Sequence, residues 1–226
     1  MQRQPTKQDV FALPVVALRG VGARISERLE RLGVRSVGDL LCLLPRRYED
    51  RTQLRAIGSL RPGEKALVAG QIELAEVAVR RRRSLLCRLS DGTGGLTLRF
   101  FHFSAQVQQR LNNGAYVRCF GEVRAGRTGL EMVHPEWRLA DPEDGAGETA
   151  LTPVYPTTEG LHQQRVRELV ARSLELMQAR GLADPLADWL EDSWAALPEA
   201  FEQLHRPAAE IDLTEHVEGA SKWHRR

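Results

Sequence analysis

Apolar residues recur at helical spacing within residues 1–60 of the chain. Ile25, Leu29 and Leu32 lie three or four positions apart, which predicts a helix that ends near Gly33. A second helix is predicted to follow, with Ser36 and Asp39 as its capping pair and Pro45 as its end. Its apolar face consists of Val37, Leu40, Leu41 and Leu44. The first region is therefore predicted to be helical.

The spacing of apolar residues changes to two after residue 60. Leu67–Val79 is long and strand-like, and an Asp-Gly turn at 91–95 predicts a hairpin between two further strands. Residues of two sets alternate along this hairpin. The first set is Leu85, Cys87, Leu89, Leu96, Leu98 and Phe100, and the second set is Ser84, Leu86, Arg88, Thr97, Arg99 and Phe101. The first set predicts the core of a sheet and the second set its outer face.

The elements that follow this hairpin indicate the fold. A short helix is predicted at 106–111, and further strands are predicted near 115–123 and 129–133. Five strands with a helix between the third and the fourth match an OB-fold, a small Greek-key barrel.

Residues 141–226 open with the acidic stretch DPEDGAGET and then predict helices. One helix covers about 161–179 and ends at Gly181, and a second surrounds 186–196. We therefore expect an α+β chain with three consecutive parts: an N-terminal helical region (1–60), a central five-stranded OB-fold β-barrel (61–140) and C-terminal helices (141–226).

Charge is distributed unevenly, although the formal net charge is only +2. Residues 1–140 hold 24 Lys and Arg against 13 Asp and Glu, a net charge of +11, whereas residues 141–226 hold 8 against 17, a net charge of −9. A basic first part favours a polyanionic partner such as nucleic acid. No apolar run approaches the roughly 20 residues that span a bilayer, and the N-terminus lacks the apolar core of a signal peptide, so a cytoplasmic protein without a membrane partner is expected.

No catalytic, metal or cofactor site is predicted for this chain from its motifs. Cys42, Cys87 and Cys119 stand far apart and are expected to be buried structural thiols. The stretch nearest to a phosphate-binding P-loop, 58–66, departs from that motif because Ala66 replaces the hydroxyl that binds magnesium. The six histidines are scattered, without the spacing of metal ligands or of a catalytic base.

Three features are candidate nucleic-acid contacts. Gly20 and Gly22 lie in a Leu-x-Gly-Val-Gly hairpin that can expose backbone N–H groups to a phosphate, although an ordinary interhelical turn has the same pattern. Four adjacent arginines at a hairpin tip either contact nucleic acid or form a solvated loop: Arg80, Arg81, Arg82 and Arg83. Arg46, Arg47 and Arg51 could steer a phosphate backbone, or equally form a salt-bridge cluster that joins the helical region to the barrel.

Phe100, Phe101 and Phe103 add aromatic rings to the predicted barrel. Strand alternation turns Phe100 toward the core and Phe101 outward, beside Arg88 and Arg99. Exposed aromatic rings beside arginines stack on unpaired bases in OB-folds, although all three rings could instead close a small hydrophobic core. We favour a stacking role for Phe101 and Phe103 and a core position for Phe100.

Five segments together resemble the N-terminal part of the RecG family of bacterial ATP-dependent DNA helicases: LPRRYEDRT (44–52), LSDGTGGLTLRFFHFS (89–104), GEVRAGRTGLEMVHPEW (121–137), LTPVYPTTEGL (151–161) and LPEAFEQLHRP (197–207). The resemblance covers roughly residues 12–226. It implies that the barrel is a wedge domain, which splits parental strands at stalled replication forks and recombination junctions. It also implies that Phe100, Phe101 and Phe103 are the aromatic residues that stack on bases there.

The resemblance further implies a motor that uses ATP and Mg, made of two RecA-like lobes that would follow in the chain. The sequence stops where the family continues into them, so this polypeptide is expected to bind branched DNA without hydrolysing ATP. We also expect it to be a monomer. The alternative is a protein-interaction module that binds an acidic peptide, such as the tail of single-stranded-DNA-binding protein, through Arg80–Arg83.

Overall fold

The computed structural model describes residues 10–79, 83–144, 147–182, 184, 194–208 and 223–224. These residues form two compact units. The helical unit contains the described residues up to Asp50 and from Ala150 onward, and the barrel unit contains those from Arg51 to Thr149. The sequence suggests three consecutive regions, but the structure groups the first with the last because their helices share one apolar core and two of their strands pair.

The described α-helices and β-strands are numbered here in chain order. The helices are α1 (Ala23–Glu30), α2 (Val37–Leu41), α3 (Ala105–Arg110), α4 (Gln163–Arg180) and α5 (Leu197–His205). The strands are β1 (Arg47–Glu49), β2 (Lys65–Val79), β3 (Arg83–Ser90), β4 (Gly95–Phe100), β5 (Tyr116–Gly126), β6 (Gly129–Val133), β7 (Glu136–Leu139) and β8 (Thr152–Val154). Short 3-10 helices cover Val10–Ala12, Val15–Ala17 and Ile57–Ser59.

The helical unit folds around the apolar faces that the sequence predicts for α1 and α2. Leu29, Leu40 and Leu41 are fully buried, and α4 adds an apolar stripe to the same core: Val166, Leu169, Val170, Leu174 and Met177. The predicted capping pair starts α2, because the Asp39 N–H donates to Ser36 Oγ at 3.1 Å and the Ser36 N–H donates to the Asp39 carboxylate at 2.8 Å.

Two residues that follow α2 are exposed, contrary to the sequence interpretation. Because the helix ends at Leu41, Leu44 no longer continues its apolar face and is 37% exposed. Cys42 is also exposed, whereas Cys87 and Cys119 lie buried in the barrel unit as predicted. Burial raises the pKa of the Cys87 thiol to about 11, which keeps it protonated and unreactive at neutral pH.

The helical unit also contains a strand pair and a helix that the sequence interpretation missed. β1 pairs antiparallel with β8, and Tyr48 of β1 donates its hydroxyl hydrogen to the carbonyl oxygen of Leu204 in α5 at 2.6 Å. α5 has Pro198 in its first turn and buries Phe201 and Leu204. The helical segment predicted around 186–196 lies almost entirely outside the described residues.

His205, at the end of α5, is buried in a short hydrogen-bonded chain. It is 1% exposed, with Nε2 at 2.8 Å from the Leu41 carbonyl oxygen and Nδ1 at 2.9 Å from the Tyr155 hydroxyl. A carbonyl oxygen only accepts, so Nε2 carries the proton and Nδ1 accepts from Tyr155. Burial, reinforced by the charge of Arg206, lowers the pKa of His205 to about 4, so the imidazole is neutral near pH 7.

The barrel unit has one six-stranded sheet in the order β2-β3-β4-β6-β5-β7, which the additional β2–β5 pairing closes. β4 and β6 are parallel, and the other pairs are antiparallel. The five predicted strands occur in the predicted order with α3 between the third and the fourth, which confirms the OB-like barrel. β7 is a sixth, short strand that pairs with β5.

The barrel core confirms the predicted inward set of the alternation, although Ser84 of the outward set is also only 4% exposed. All six residues of the inward set are at most 4% exposed. Asp91 fixes the hairpin turn between β3 and β4, since its carboxylate accepts from the N–H groups of Thr93 and Gly94 within the turn and of Ile57 outside it. Burial acts to raise the pKa of Asp91, but these hydrogen bonds outweigh it and lower the pKa below its ordinary value. The charged carboxylate thus ties the turn to the preceding 3-10 helix.

Candidate nucleic-acid interface

The outward faces of β2, β3 and β4 line an open groove of about 820 Å³, together with residues from the turn between β5 and β6. Its lining includes three arginines, an aromatic ring and two leucines: Arg88, Arg99, Arg127, Phe101, Leu74 and Leu86. Glu76 is the one acidic residue in the described lining. The residues that line the groove therefore combine more positive than negative charge with apolar surface.

Strand register brings together the three residues that the sequence predicts to act on one face. Leu86 of β3 is opposite Arg99 of β4, and Arg88 is opposite Thr97. Residues of one face on neighbouring strands lie side by side, so Arg88 and Arg99 share the groove with Phe101, which follows β4 directly. Alternation along the strands is the sequence signal that predicts this arrangement.

Carboxylates orient two of the groove arginines. Nε and Nη2 of Arg99 both donate to Glu131 Oε2, at 3.0 and 2.8 Å. Nε of Arg88 lies 3.4 Å from Glu73 Oε2. Such pairs fix the direction of a guanidinium group, but they also reduce the positive charge that a phosphate would meet.

Arg127 is the groove arginine that sequence reasoning missed. It lies exposed in the turn between β5 and β6, and no ion pair of Arg127 is found among the described residues. Its charge is therefore not offset by a carboxylate as the charges of Arg88 and Arg99 are. The available signal was its place in a glycine-rich turn, because turns at the rim of a barrel often carry binding residues.

Phe101 lies half-buried in the groove lining at the end of β4. Its backbone N–H donates to Nε2 of His134 at 3.1 Å, and the two ring centroids are 5.7 Å apart. The ring is thus held in place while part of its surface is accessible. A platform that stacks on a base needs both properties.

Phe103 is half-buried, as Phe101 is, but it has different neighbours. Its ring packs against the barrel core, and the guanidinium carbon of Arg83 lies 4.7 Å from the ring centroid. The Arg83 guanidinium covers one side of the ring in a cation–π contact. The other predicted tip residues, Arg80, Arg81 and Arg82, lie outside the described residues.

Two of the predicted contact residues are buried. Phe100 is 4% exposed in the barrel core, as strand alternation predicts, so its ring has no free face for the stacking that the resemblance implies. Arg51 is also 4% exposed, because its Nη1 donates to Glu136 at 2.9 Å and its guanidinium carbon lies 3.9 Å from the Phe120 ring centroid. Arg51 thus packs against β5 and β7 and is not available to steer a phosphate backbone.

Gly20 and Gly22 form the predicted hairpin before α1 in the helical unit. Gly20 has a φ of +88°, and Gly22 is the N-cap of α1, where the first backbone N–H groups have no partner within the helix. Arg165 of α4 donates to the carbonyl oxygen of Gly20 at 2.5 Å, and Arg172 donates to that of Arg19. Two guanidinium groups therefore lie beside the hairpin.

Arg46 and Arg47 are exposed residues of the helical unit. The backbone N–H of Arg46 donates to the Val154 carbonyl oxygen at 2.9 Å, and Nη2 of Arg47 lies 3.6 Å from Glu49 Oε1. The backbone of this segment is fixed by the strand pair, while both guanidinium groups remain open to solvent.

Comparison with known proteins identifies the family of this fold. The family model of the RecG wedge domain matches residues 14–177. The chain belongs to the RecG wedge domain family. Among curated RecG proteins, the ATP-dependent DNA helicase RecG of Escherichia coli (strain K12) is 41% identical over 216 residues, which are 95% of this chain. That of Haemophilus influenzae is 41% identical over 205 residues, 89% of this chain.

The similarity to RecG extends to the three-dimensional structure. A solved structure of RecG bound to a three-way DNA junction matches 97% of this chain with a TM-score of 0.72 and 25% sequence identity. The chain spans 31% of the Escherichia coli protein, 29% of the Haemophilus protein and 30% of the chain in the solved structure. It corresponds to the wedge-containing part of these longer proteins.

The stretch nearest to a P-loop is built into the barrel unit. In the P-loop-like stretch, the Gly58 N–H donates to Thr93 Oγ1 at 3.0 Å, and Lys65 is the first residue of β2, paired with Glu122 of β5. The backbone that would cradle a phosphate is thus engaged within the barrel. Across the described ranges, no group of three or more His, Cys, Asp or Glu residues could hold a metal ion. None of the described helices has the length and apolar character to cross a bilayer.

Proposed function

We propose that this chain is the branched-DNA-binding portion of a RecG-type ATP-dependent DNA helicase that acts in DNA recombination and repair. The groove of the barrel unit carries the proposal, because it joins an anchored aromatic ring to three arginines on one face. Family membership supports it, since the curated relatives are ATP-dependent DNA helicases and the matching solved structure of RecG is bound to a three-way DNA junction.

In this proposal Phe101 stacks on a base at the branch point while Arg88, Arg99 and Arg127 contact the phosphates that flank it. Stacking on an aromatic side chain is worth about 1–3 kcal/mol per base and needs a base that is not paired within a duplex. Phosphate contacts position the nucleic acid without reading its sequence. The combination recognises an open branch in preference to continuous duplex, whatever the base sequence.

Residues outside the groove add sequence-independent contacts. The N-terminus of α1 at Gly22 offers backbone N–H groups and a partial positive charge to a phosphate, with Arg165 and Arg172 close to the hairpin. Arg46 and Arg47 supply further exposed charge in the helical unit. These contacts would raise affinity for every DNA and leave selectivity for branches to the groove.

ATP hydrolysis is assigned to the part of the longer relatives that this chain does not span. The chain covers about 31% of the Escherichia coli RecG protein, and its P-loop-like stretch is engaged in the barrel. Phosphoryl transfer requires cradled phosphates and a bound magnesium ion. We therefore assign no ATP-binding or magnesium-binding residue to the present chain.

Replacing Arg127 with alanine should weaken binding to fork and duplex DNA alike. Its charge has no carboxylate partner among the described residues, so one phosphate contact is lost. We expect the slope of log affinity against log salt concentration to become shallower by about 1. Measuring binding by fluorescence anisotropy at several salt concentrations checks this. Arg124 is the control, because it is paired with Glu122 at 2.9 Å and is not part of the groove lining; an equal change of slope in Arg124→Ala would exclude a specific role for Arg127.

The groove also has a feature that favours a second function, binding of an acidic peptide. Leu74 is 48% exposed and lines the groove with Leu86 and the arginines, so apolar and acidic side chains could bind together. A labelled fork should be displaced by unlabelled fork at far lower concentration than by an acidic peptide with apolar residues. Displacement by the peptide at the lower concentration would favour the protein-interaction function.

A further inference from the structure

The parallel ladder between β4 and β6 ends in an unusual way at the groove. Arg99 pairs with Val133, and the next backbone bond runs from the His134 N–H to the Arg99 carbonyl oxygen at 2.8 Å. In a regular parallel ladder, the residue that donates one such bond also accepts the next one. The carbonyl oxygen of His134 would therefore accept from the Phe101 N–H. Here the donor of that following bond, the Phe101 N–H, is bound instead by the side-chain Nε2 of His134 at 3.1 Å.

The backbone of His134 explains why its side chain takes over. His134 has a φ of +49° and is the one non-glycine residue with positive φ in the part of the chain that the structure describes. This left-handed conformation is costly for a side chain other than glycine, and such conformations concentrate at functional positions. It ends β6 at Val133 and leaves the imidazole of His134 to satisfy the Phe101 N–H.

The surroundings of the imidazole are aromatic. Its ring centroid lies 6.0 Å from that of Phe100, 5.7 Å from that of Phe101 and 5.9 Å from that of His102, which is stacked on it. His102 is the titratable group in these contacts. The charged side chain of the neighbouring Arg99 is bonded to Glu131 of β6.

We propose that His134 is a positioning residue for the stacking platform, because its neutral imidazole fixes the backbone of Phe101 and so holds the Phe101 ring in the groove. This rests on the proposed function, in which Phe101 stacks on a base at a DNA branch. His134 itself makes no contact with the nucleic acid in this account. Its effect reaches the DNA only through Phe101.

Acidification should therefore lower the ratio of fork affinity to duplex affinity. A protonated Nε2 is a donor and no longer accepts from the Phe101 N–H. Burial, together with the charge of His102, lowers the pKa of His134 below its ordinary value of 6.5, so the ratio should fall below that pH. A purely electrostatic role predicts the opposite, because an added positive charge strengthens binding to phosphates.

Two substitutions isolate the hydrogen bond. His134→Ala removes the acceptor, whereas His134→Gln places an amide oxygen that does not titrate at about the reach of Nε2. Neither residue relieves the left-handed backbone as glycine would, so the two variants differ mainly in the acceptor. We expect the fork-to-duplex affinity ratio to fall about three- to tenfold in His134→Ala, as part of the stacking interaction is lost. We expect His134→Gln to recover most of the ratio and to lose its pH dependence.

The experiment measures the affinities of the 226-residue chain for fork and duplex DNA between about pH 7.5 and 5.5. Circular dichroism confirms that each variant is folded, and NMR follows the amide resonance of Phe101. In the unmodified chain the amide resonance should shift with His134 protonation as the ratio falls, and neither should occur in His134→Gln. Two outcomes would overturn the positioning role and leave the proposed function standing. The first is a fork-to-duplex affinity ratio that rises on acidification. The second is an unchanged ratio in His134→Ala together with a lowered ratio in Phe101→Ala. An unchanged ratio in Phe101→Ala would instead remove the stacking site itself.

Discussion

Replacing Phe100 with alanine should lower the free energy of unfolding of the barrel unit by about 3–5 kcal/mol, because it truncates a large side chain in a packed core. Phe101→Ala should leave the stability of the barrel almost unchanged. It should instead weaken binding to a fork by about tenfold, or ~1.4 kcal/mol, and barely affect duplex binding. The two residues are adjacent and chemically identical, so the difference tests strand alternation directly.

Urea unfolding followed by circular dichroism measures the stability of both variants, and fluorescence anisotropy measures their binding. Phe100 is 4% exposed, whereas Phe101 is half-buried in the groove lining. Equal losses of stability in the two variants would show that both rings are core residues. In that case Phe101 could not be the stacking platform.

Lowering the pH from about 6.5 to about 4 should destabilise the helical unit through His205. The pKa of His205 is lowered to about 4 in the folded protein, while an unfolded histidine titrates near 6.5. Between these values the unfolded chain binds a proton that the folded chain does not, so the free energy of unfolding decreases as the pH falls. The loss should reach about 3 kcal/mol near pH 4 and should level off within about one pH unit below it, where the folded imidazole is protonated as well.

His205→Gln is the matched variant, since an amide can donate to the Leu41 carbonyl and accept from the Tyr155 hydroxyl without titrating. Chemical unfolding at a series of pH values should give a flatter dependence for this variant between pH 6.5 and 4. His134, in the barrel unit, also has a lowered pKa and would leave a residual slope in both proteins. Identical slopes with and without His205 would mean that the imidazole is not buried in its neutral form.

The parts of the fold that could be predicted are those that local patterns encode. The alternation in β3 and β4, the Asp-Gly turn and the capping box at Ser36 each depend on residues close together in sequence. β1 and β8 depend on each other although the residues of the barrel unit lie between them in the sequence, and both are only three residues long. Such short strands have too few positions for a period of two to stand out, and their pairing is set by tertiary contacts.

α5 and β7 show two further limits. α5 has a local signal, Pro198 in its first turn followed by apolar residues at helical spacing, and the sequence interpretation did not use it. β7 has four residues, none of them fully buried, so its burial pattern carries no alternation to detect. Its position depends on pairing with β5, which a sequence does not reveal locally.

The candidate site was predictable where strand parity decides which residues share a face. Arg88, Arg99 and Phe101 follow from parity alone and line one groove. For Arg51 the sequence left open whether it steers a phosphate backbone or joins a salt-bridge cluster, because arginines and carboxylates are mixed in 46–51. Its burial depends on Glu136 and on the Phe120 ring, which lie far along the chain. His134 gave no sequence signal, because its role depends on a backbone conformation at the end of β6.

The affinity of the 226-residue chain for a three-way fork, compared with a plain duplex of the same length and charge, tests the central claim most directly. Both DNAs offer similar phosphates, so the groove must account for any difference, through a base that is accessible only at the branch. We predict that the fork binds at least about tenfold more tightly, which is ~1.4 kcal/mol. Equal affinities at every salt concentration would contradict structure-specific binding and reduce the chain to a general polyanion-binding protein.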